Sequence, residues 1–247
     1  MELQQPCIGP PMRSQTPRAA SRRIPVAEIR SVNRPFLRWP PSRYAIYRIA
    51  VSKLIRNRPA LNKRPQPGSY LNIGCGVVMP SGFFNVDDHW RPGIDLCWDL
   101  EGPRLPFAAD SVGGIFTEHC MEHISFPSFL RVAGEFRRIL MPGRTVRIIV
   151  PDGGLYVRRY VESDAVMPYR EFDDPPIPYT KFWSINRIFY HPTHRCMYDW
   201  DLMRVVLEHA GFQTVELCEF GRGRDSRLLV DQVNRQPESL YVEATKR

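Results

Sequence analysis

Tyr70-Leu71-Asn72-Ile73-Gly74-Cys75-Gly76 is a short apolar run that ends in a Gly-x-Gly turn, and Asn85-Val86-Asp87-Asp88 is a second run that ends in acid. Without a Cβ in the way, the backbone N–H groups of such a turn can come close to a ligand. A carboxylate closing the next strand suits ribose hydroxyls. The pair fits a nucleotide-type ligand held at the carboxyl ends of a parallel sheet. A Gly-x-Gly turn is also an ordinary strand-to-loop turn, so the surrounding sequence has to decide.

Downstream, Ile94 to Leu100 reads as a third strand ending in Asp99, and Val112 to Thr117 as a fourth, leading into Glu118-His119-Cys120-Met121-Glu122-His123. A helix is expected from about Phe126 to Leu140, stopped by Met141-Pro142-Gly143. Val146 to Val150 then reads as a buried central strand. Asp199 to Ala210 is a helix with Leu202, Val205, Val206 and His209 on its face, and Gly211 is its stop. Thr214 to Phe220 is a sixth strand, Gly221 to Asn234 a polar loop and Ser239 to Ala244 a last strand. Strand and helix alternate, which predicts an α/β fold with a doubly wound, Rossmann-like sheet of about seven strands.

In order and spacing, Leu71-Asn72-Ile73-Gly74-Cys75-Gly76, Asn85-Val86-Asp87, Asp99-Leu100, Leu105-Pro106-Phe107, Glu122-His123 and Arg138-Ile139-Leu140-Met141-Pro142-Gly143 resemble the class I S-adenosylmethionine-dependent methyltransferases, the methyltransferase type 11 group above all. The resemblance covers roughly residues 69–152. It implies S-adenosyl-L-methionine as cofactor, an antiparallel edge strand at the end of the chain, and a set of cofactor contacts at Asn72, Gly74, Cys75, Gly76, Asp87, Asp99, Leu100 and Glu118. Glu118 and His119 would face the methyl-transfer site, and His119, His123 and Glu118 are the candidate catalytic bases. Asn72, Gly113 and Arg144 depart from residues common in similar enzymes. The step from Gly74 to Asp87 is also too short for the helix that usually follows the glycine turn, and Met79-Pro80-Ser81-Gly82 reads as a turn. With that helix goes a dipole that would face the cofactor's carboxylate.

Residues 155–200 form an aromatic, proline-interrupted and loop-rich insertion after the fifth strand, placed to cap the site. His191, His194, Arg195 and Tyr198 are the expected substrate contacts, and the aromatic and basic residues together suggest an anionic small-molecule or glycan acceptor. His191-x-x-His194 has metal-ligand spacing on a helix, but Pro192 disfavours that helix and no third ligand stands nearby, so no metal is expected. Asp174-Pro175-Pro176-Ile177 is similar to the Asp-Pro-Pro-aromatic motif of amino-methylating nucleic-acid enzymes but lies far from the fourth strand, where that motif acts.

The net charge of +8 is unevenly spread. Residues 1–68 hold 14 Lys and Arg against Glu2 and Glu28, which leaves 20 basic and 24 acidic groups in the rest. Residues 1–40, rich in Pro, Arg, Ser and Gln, read as a disordered basic arm, with an organelle transit peptide as the alternative. Residues 41–68 read as an amphipathic helix and linker, with Tyr47, Ala50, Val51 and Leu54 on the apolar face. Residues 69–247 form the domain that carries the resemblance. The helix would lean on the sheet edge or lie on an anionic surface, and peripheral membrane contact is one expected use. Nucleic acid is a possible but less favoured partner of the arm. No apolar run is long enough to span a bilayer, and the six cysteines form no C-x-x-C pair, so a cytoplasmic location, with membrane-peripheral as the alternative, and reduced, packed thiols are expected.

Overall fold

The computed structural model describes residues 42–162, 180–190 and 193–247, all within a compact unit that runs from Pro40 to Arg247. Seven strands build one sheet: β1 (Tyr70–Ile73), β2 (Phe83–Asp87), β3 (Leu96–Cys97), β4 (Gly114–Glu118), β5 (Thr145–Pro151), β6 (Thr214–Cys218) and β7 (Ser239–Thr245). Their order is β3-β2-β1-β4-β5-β7-β6. The first five run parallel, and β7 is antiparallel to both of its neighbours. This is the doubly wound, Rossmann-like α/β arrangement the sequence predicts. The expected edge position of the last strand is wrong, because β7 lies between β5 and β6. Its residues Leu240 to Ala244 are all buried, whereas Leu217 of β6 is half-exposed, so β6 is the strand able to stand at the rim.

Strand order reverses between β1 and β4, which opens a crevice at their carboxyl ends. β4 and β5 are buried along their whole length, as central parallel strands must be. The fourth strand starts at Gly114, two residues later than predicted. Gly113 and Gly114 pack against the start of β1, where a Cβ on Gly113 would stand 2.3 Å from the Gly68 carbonyl and one on Gly114 2.4 Å from the Tyr70 ring. That contact leaves no room at position 113 for the acid common in similar enzymes. Asn72 also has a local explanation. Its Nδ2 donates to the Val78 carbonyl (2.9 Å) and to Asn85 Oδ1 (3.1 Å), pinning the short turn that replaces a helix between β1 and β2. An ionised acid there has no proton to donate.

Helix α1 (Arg43–Ile55) is capped by Ser42, whose Oγ accepts from the Ala45 N–H. Its expected apolar face is not the docked one, since Tyr47 and Leu54 are more than half exposed and only Ser52 is buried. Polar contacts hold it instead: Ser52 Oγ accepts from the Trp90 N–H at 2.8 Å, and Arg48 and Arg56 donate to the carbonyls of Trp90 and Asp88. Asn57 and Asn62 then accept from the N–H groups of Asp99 and Cys97. The linker thus covers the open side of β3, a strand of two residues where seven were expected.

Helix α2 (Phe126–Ile139) buries Phe129, Val132, Ala133, Phe136 and Ile139 in the main core, at the i, i+3, i+4, i+7 spacing of an amphipathic helix. The 155–200 segment is not a plain loop, because it holds most of α3 (Gly153–Glu162), α4 (Lys181–Tyr190) and the start of α5 (Trp200–His209). Asp199 caps α5 by accepting from the Leu202 N–H. That helix buries Met203, Val206 and Leu207, while Val205, expected on its inner face, is exposed. The Asp174-Pro175-Pro176-Ile177 segment lies outside the described residues. The stretch between β6 and β7 carries two short 3-10 turns, Ser226–Leu228 and Val233–Glu238, and buries Leu228.

Candidate functional site

At the crevice, Gly74 and Gly76 both have positive φ, +67° and +53°. A Cβ on Gly74 would stand 2.1 Å from Cys120 Sγ, so this glycine lets the turn pack onto the segment after β4. Around Gly76 there is open space. The Gly76 N–H donates to Asp87 Oδ2 (2.8 Å) and the His89 N–H to Oδ1 (2.9 Å). These two bonds aim the carboxylate. Burial pushes the Asp87 pKa up and the two N–H groups oppose the shift. Each oxygen keeps a second lone pair for a ligand. A cavity of about 160 Å³ adjoins the turn, lined by Gly74, Asp87, Asp99, Leu100, Cys120 and His123 among others. A larger hollow of about 470 Å³, lined by Lys63, Pro65 and Phe107 among others, includes no residue of the glycine turn.

Cys75 is buried and its thiol is pushed up to about 12 by that burial, which suits packing and excludes a ready thiolate. Asn72 serves the turn, as described above. Glu118, expected at the cofactor and as a base, is taken up elsewhere: its two oxygens accept from the backbone N–H and the side-chain amide of Gln232, at 3.0 and 2.7 Å, and burial raises its pKa. It lines neither this cavity nor the one below.

Beside the cavity at the glycine turn lies a smaller one of about 90 Å³, lined by His119, Glu122, His123, His194, Arg235 and Glu238 together with Pro151 and Ile188. His123 lines both. Glu122 sits in the 3-10 turn Met121–His123 with no exposure at all, and neither carboxylate oxygen has a hydrogen-bond partner. Burial raises its pKa to about 8. His119, at φ +48°, places Nδ1 3.4 Å from Glu122 Oε1, while its Nε2 is 2.8 Å from Ser239 Oγ. His123 places Nε2 3.7 Å from the same Oε1, and its Nδ1 is 2.8 Å from Thr193 Oγ1. Desolvation lowers the His123 pKa. The His194 ring lies 4.9 Å from that of His123, with Nδ1 2.7 Å from the Ile188 carbonyl.

Of the four expected substrate contacts, His194 alone lines this cavity among the described residues; His191 lies outside them. The Arg195 guanidinium pairs with Glu101, and its backbone N–H donates to the Glu122 carbonyl at 2.7 Å. Backbone donation from Ser125 is the main cause that holds Glu101 down at about 2. Tyr198 is a core residue with 1% exposure, its ring edge-on to Phe129 at 5.1 Å, and burial raises its pKa. An aromatic near the start of a helix looks the same in sequence whether it lines a pocket or fills a core. Glu122, Thr193, Arg235 and Glu238 were not expected at the site. Glu122 had a signal, its place in the Glu-His pair of the resemblance, but its burial depends on residues far along the chain.

No family model matches the chain, and no curated protein is significantly similar to it. Solved structures similar to it in fold include S-adenosylmethionine-dependent methyltransferases. One is a possible histamine N-methyltransferase from Thermotoga maritima, 15% identical over 82% of this chain and 88% of that one, with a TM-score of 0.46. Another is a methyltransferase from Archaeoglobus fulgidus, 15% identical over 81% and 94%, with a TM-score of 0.46. A third is phosphoethanolamine N-methyltransferase 2 from Haemonchus contortus in complex with S-adenosyl-L-methionine, 12% identical over 81% and 52%, with a TM-score of 0.41.

Proposed function

We propose that the protein is an S-adenosyl-L-methionine-dependent methyltransferase of the type 11 kind acting on a small-molecule or glycan acceptor. The observation that carries this reading is the Gly74-Cys75-Gly76 turn bonded to Asp87 at the mouth of a cavity that Asp99 and Leu100 also line. The cofactor supplies an electrophilic methyl group on sulfur. Asp87 would accept from its ribose hydroxyls, Asp99 and Leu100 would flank its adenine, and the open face of Gly76 would allow close approach. In-line transfer asks chiefly for alignment of donor and acceptor. A base is needed only where the acceptor must lose a proton, and His119 and His123 stand at the cavity where one would act. Arg195 lines neither cavity, so recognition of an anionic acceptor would fall to Arg235, which lines the smaller one, and to the histidines.

Calorimetry with S-adenosylmethionine and S-adenosylhomocysteine tests the reading. Binding of either, lost in Asp87→Ala, is expected; well-folded protein that binds neither at high concentration would overturn it. The charge asymmetry favours a second reading, in which the basic arm delivers a nucleic acid to the same site. A strongly salt-dependent gel shift that disappears when residues 1–40 are removed would select that reading. Helix α1 carries exposed Tyr44, Ile46, Ile49 and Leu54 beside Arg43 and Lys53, which suits peripheral contact with an anionic membrane. No helix among the described residues is long and apolar enough to cross one.

A further inference from the structure

Glu122 is the one carboxylate among the described residues that is wholly buried with neither oxygen hydrogen-bonded. A buried polar group without partners costs about 1–3 kcal/mol, and a charged one more, so something is expected to compensate it. The surrounding imidazoles do not do so in the orientation their own bonds favour. Ser239 Oγ donates to the Arg235 carbonyl at 2.7 Å, so the hydroxyl has only lone pairs left for His119, whose Nε2 must then carry the proton. That places the Nδ1 lone pair toward Glu122 Oε1. His194 Nδ1 faces a carbonyl oxygen, which accepts only, and its Nε2 therefore carries a lone pair. When His123 donates from Nδ1 to Thr193 Oγ1, its Nε2 lone pair also faces Oε1. Acceptors converge, and the missing charge is either a proton held by Glu122 or a metal cation.

We infer that Glu122, His123 and His194 form a binding site for a divalent first-row transition metal. One ligand-capable atom from each of the three lies within 4.8 Å of the other two. Ligand atoms about 2.0–2.1 Å from a tetrahedral zinc stand roughly 3.3–3.4 Å apart. Within the set, the Glu122–His123 separation of 3.7 Å is close to that spacing and longer than a hydrogen bond. Two imidazoles and one carboxylate are a donor set for zinc or iron(II) that leaves positions open, and the adjoining cavity of about 90 Å³ has room for them. The Ile188 carbonyl and Thr193 hydroxyl fix the rings from behind, as outer partners of metal-bound histidines do. Arg235, the cation that also lines the cavity, pairs with Glu238 at 2.9 Å. The ligands sit on two segments about 70 residues apart, which is why the His191-x-x-His194 spacing alone showed no third ligand. The site stands on its own geometry. Only its use, to hold an oxygen acceptor beside the neighbouring cavity through the shared His123, rests on the methyltransferase reading, and with an ion bound the role of base passes from His123 to His119.

The test is titration of the metal-stripped full chain with zinc chloride by calorimetry, and with cobalt(II) by visible absorption. One equivalent is expected, with a ligand-field band distinct from that of aqueous cobalt. Glu122→Gln, which keeps the side-chain volume, and His194→Ala are each expected to weaken binding by about 100-fold or more, and Thr193→Val by about 10-fold. Thermal melts of each variant separate loss of the site from loss of the fold. Failure of the wild type to bind either ion would overturn the inference. So would binding that survives in folded Glu122→Gln and disappears in His89→Ala, because the ion would then sit at the cluster of Asp87, Asp88 and His89. Calorimetry with S-adenosylhomocysteine reads the cofactor reading independently, so the two fail separately.

Discussion

Two glycines one residue apart do different work. At Gly74 a methyl group meets Cys120 Sγ at 2.1 Å, and at Gly76 it meets nothing within 4 Å, although both residues hold positive φ. Gly76→Ala is therefore expected to cost about 1–2 kcal/mol, the penalty of the left-handed conformation alone. Gly74→Ala adds overpacking of a further 1–3 kcal/mol or so. Denaturant melts of the two variants measure the gap, and equal losses would show that the turn does not pack on Cys120 as described. The glycine turn and its acid were legible because local rules place them: strand, tight turn, strand. His119 and His123 were legible as residue types. Their convergence on Glu122 was not, since it needs Thr193 and His194 to come from beyond β5, and sequence spacing carries no such distance. Glu118 and Tyr198 misled for a related reason. Their polar atoms suggest a site, while Gln232, which bonds the Glu118 carboxylate, and Phe129, which packs on the Tyr198 ring, lie more than 60 residues away.

The elements follow the hydrophobic pattern wherever burial is two-sided or confined to one stripe, as in β1, β4, β5 and α2. The pattern failed where polar groups do the docking. β5 reads as an apolar run, yet Arg147 in its middle is fully buried, paired with Asp231 through two bonds of 2.7 and 2.5 Å and with Glu243 of β7 at 3.0 Å. It also donates to the carbonyls of Glu219 and Arg222. This one side chain therefore ties the stretch after β6 to the sheet. Arg147→Met leaves two carboxylates buried without their cation and is expected to destabilise by about 3–5 kcal/mol. Adding Asp231→Asn and Glu243→Gln should recover part of that, as neutral amides can bond one another. If Arg147→Met alone costs under about 1 kcal/mol in a chemical melt, the network is not what holds this side of the sheet. Helix α1 shows the same limit. Its apolar residues go most of the way round the helix and its seat is made of Arg48, Ser52 and Arg56, so a search for an apolar stripe chose the wrong face.

At the scale of the whole chain, charge and core are separated in sequence. The main core draws its buried residues from Leu71 to Ala244, and the excess of Lys and Arg lies before residue 69. Between the two, residues 42–62 are tied to the loop after β2, to β3 and to Asp99 just beyond it by the bonds of Arg48, Ser52, Arg56, Asn57 and Asn62. Removing residues 1–40 therefore takes away none of these bonds and none of the core residues among the described residues. The truncated chain is expected to melt within a degree or two of the full chain, about the shift that a surface change within 0.5 kcal/mol produces in a domain of this size, and to bind S-adenosylhomocysteine with unchanged affinity. Removing residues 1–62 instead uncovers β3 and the carbonyls of Trp90 and Asp88, and should lower both stability and S-adenosylhomocysteine affinity, because Asp88 and Asp99 line the cavity proposed to take the cofactor. A large drop in melting temperature on losing residues 1–40 alone would mean that the arm is docked on the domain, and would move the domain boundary to the start of the chain.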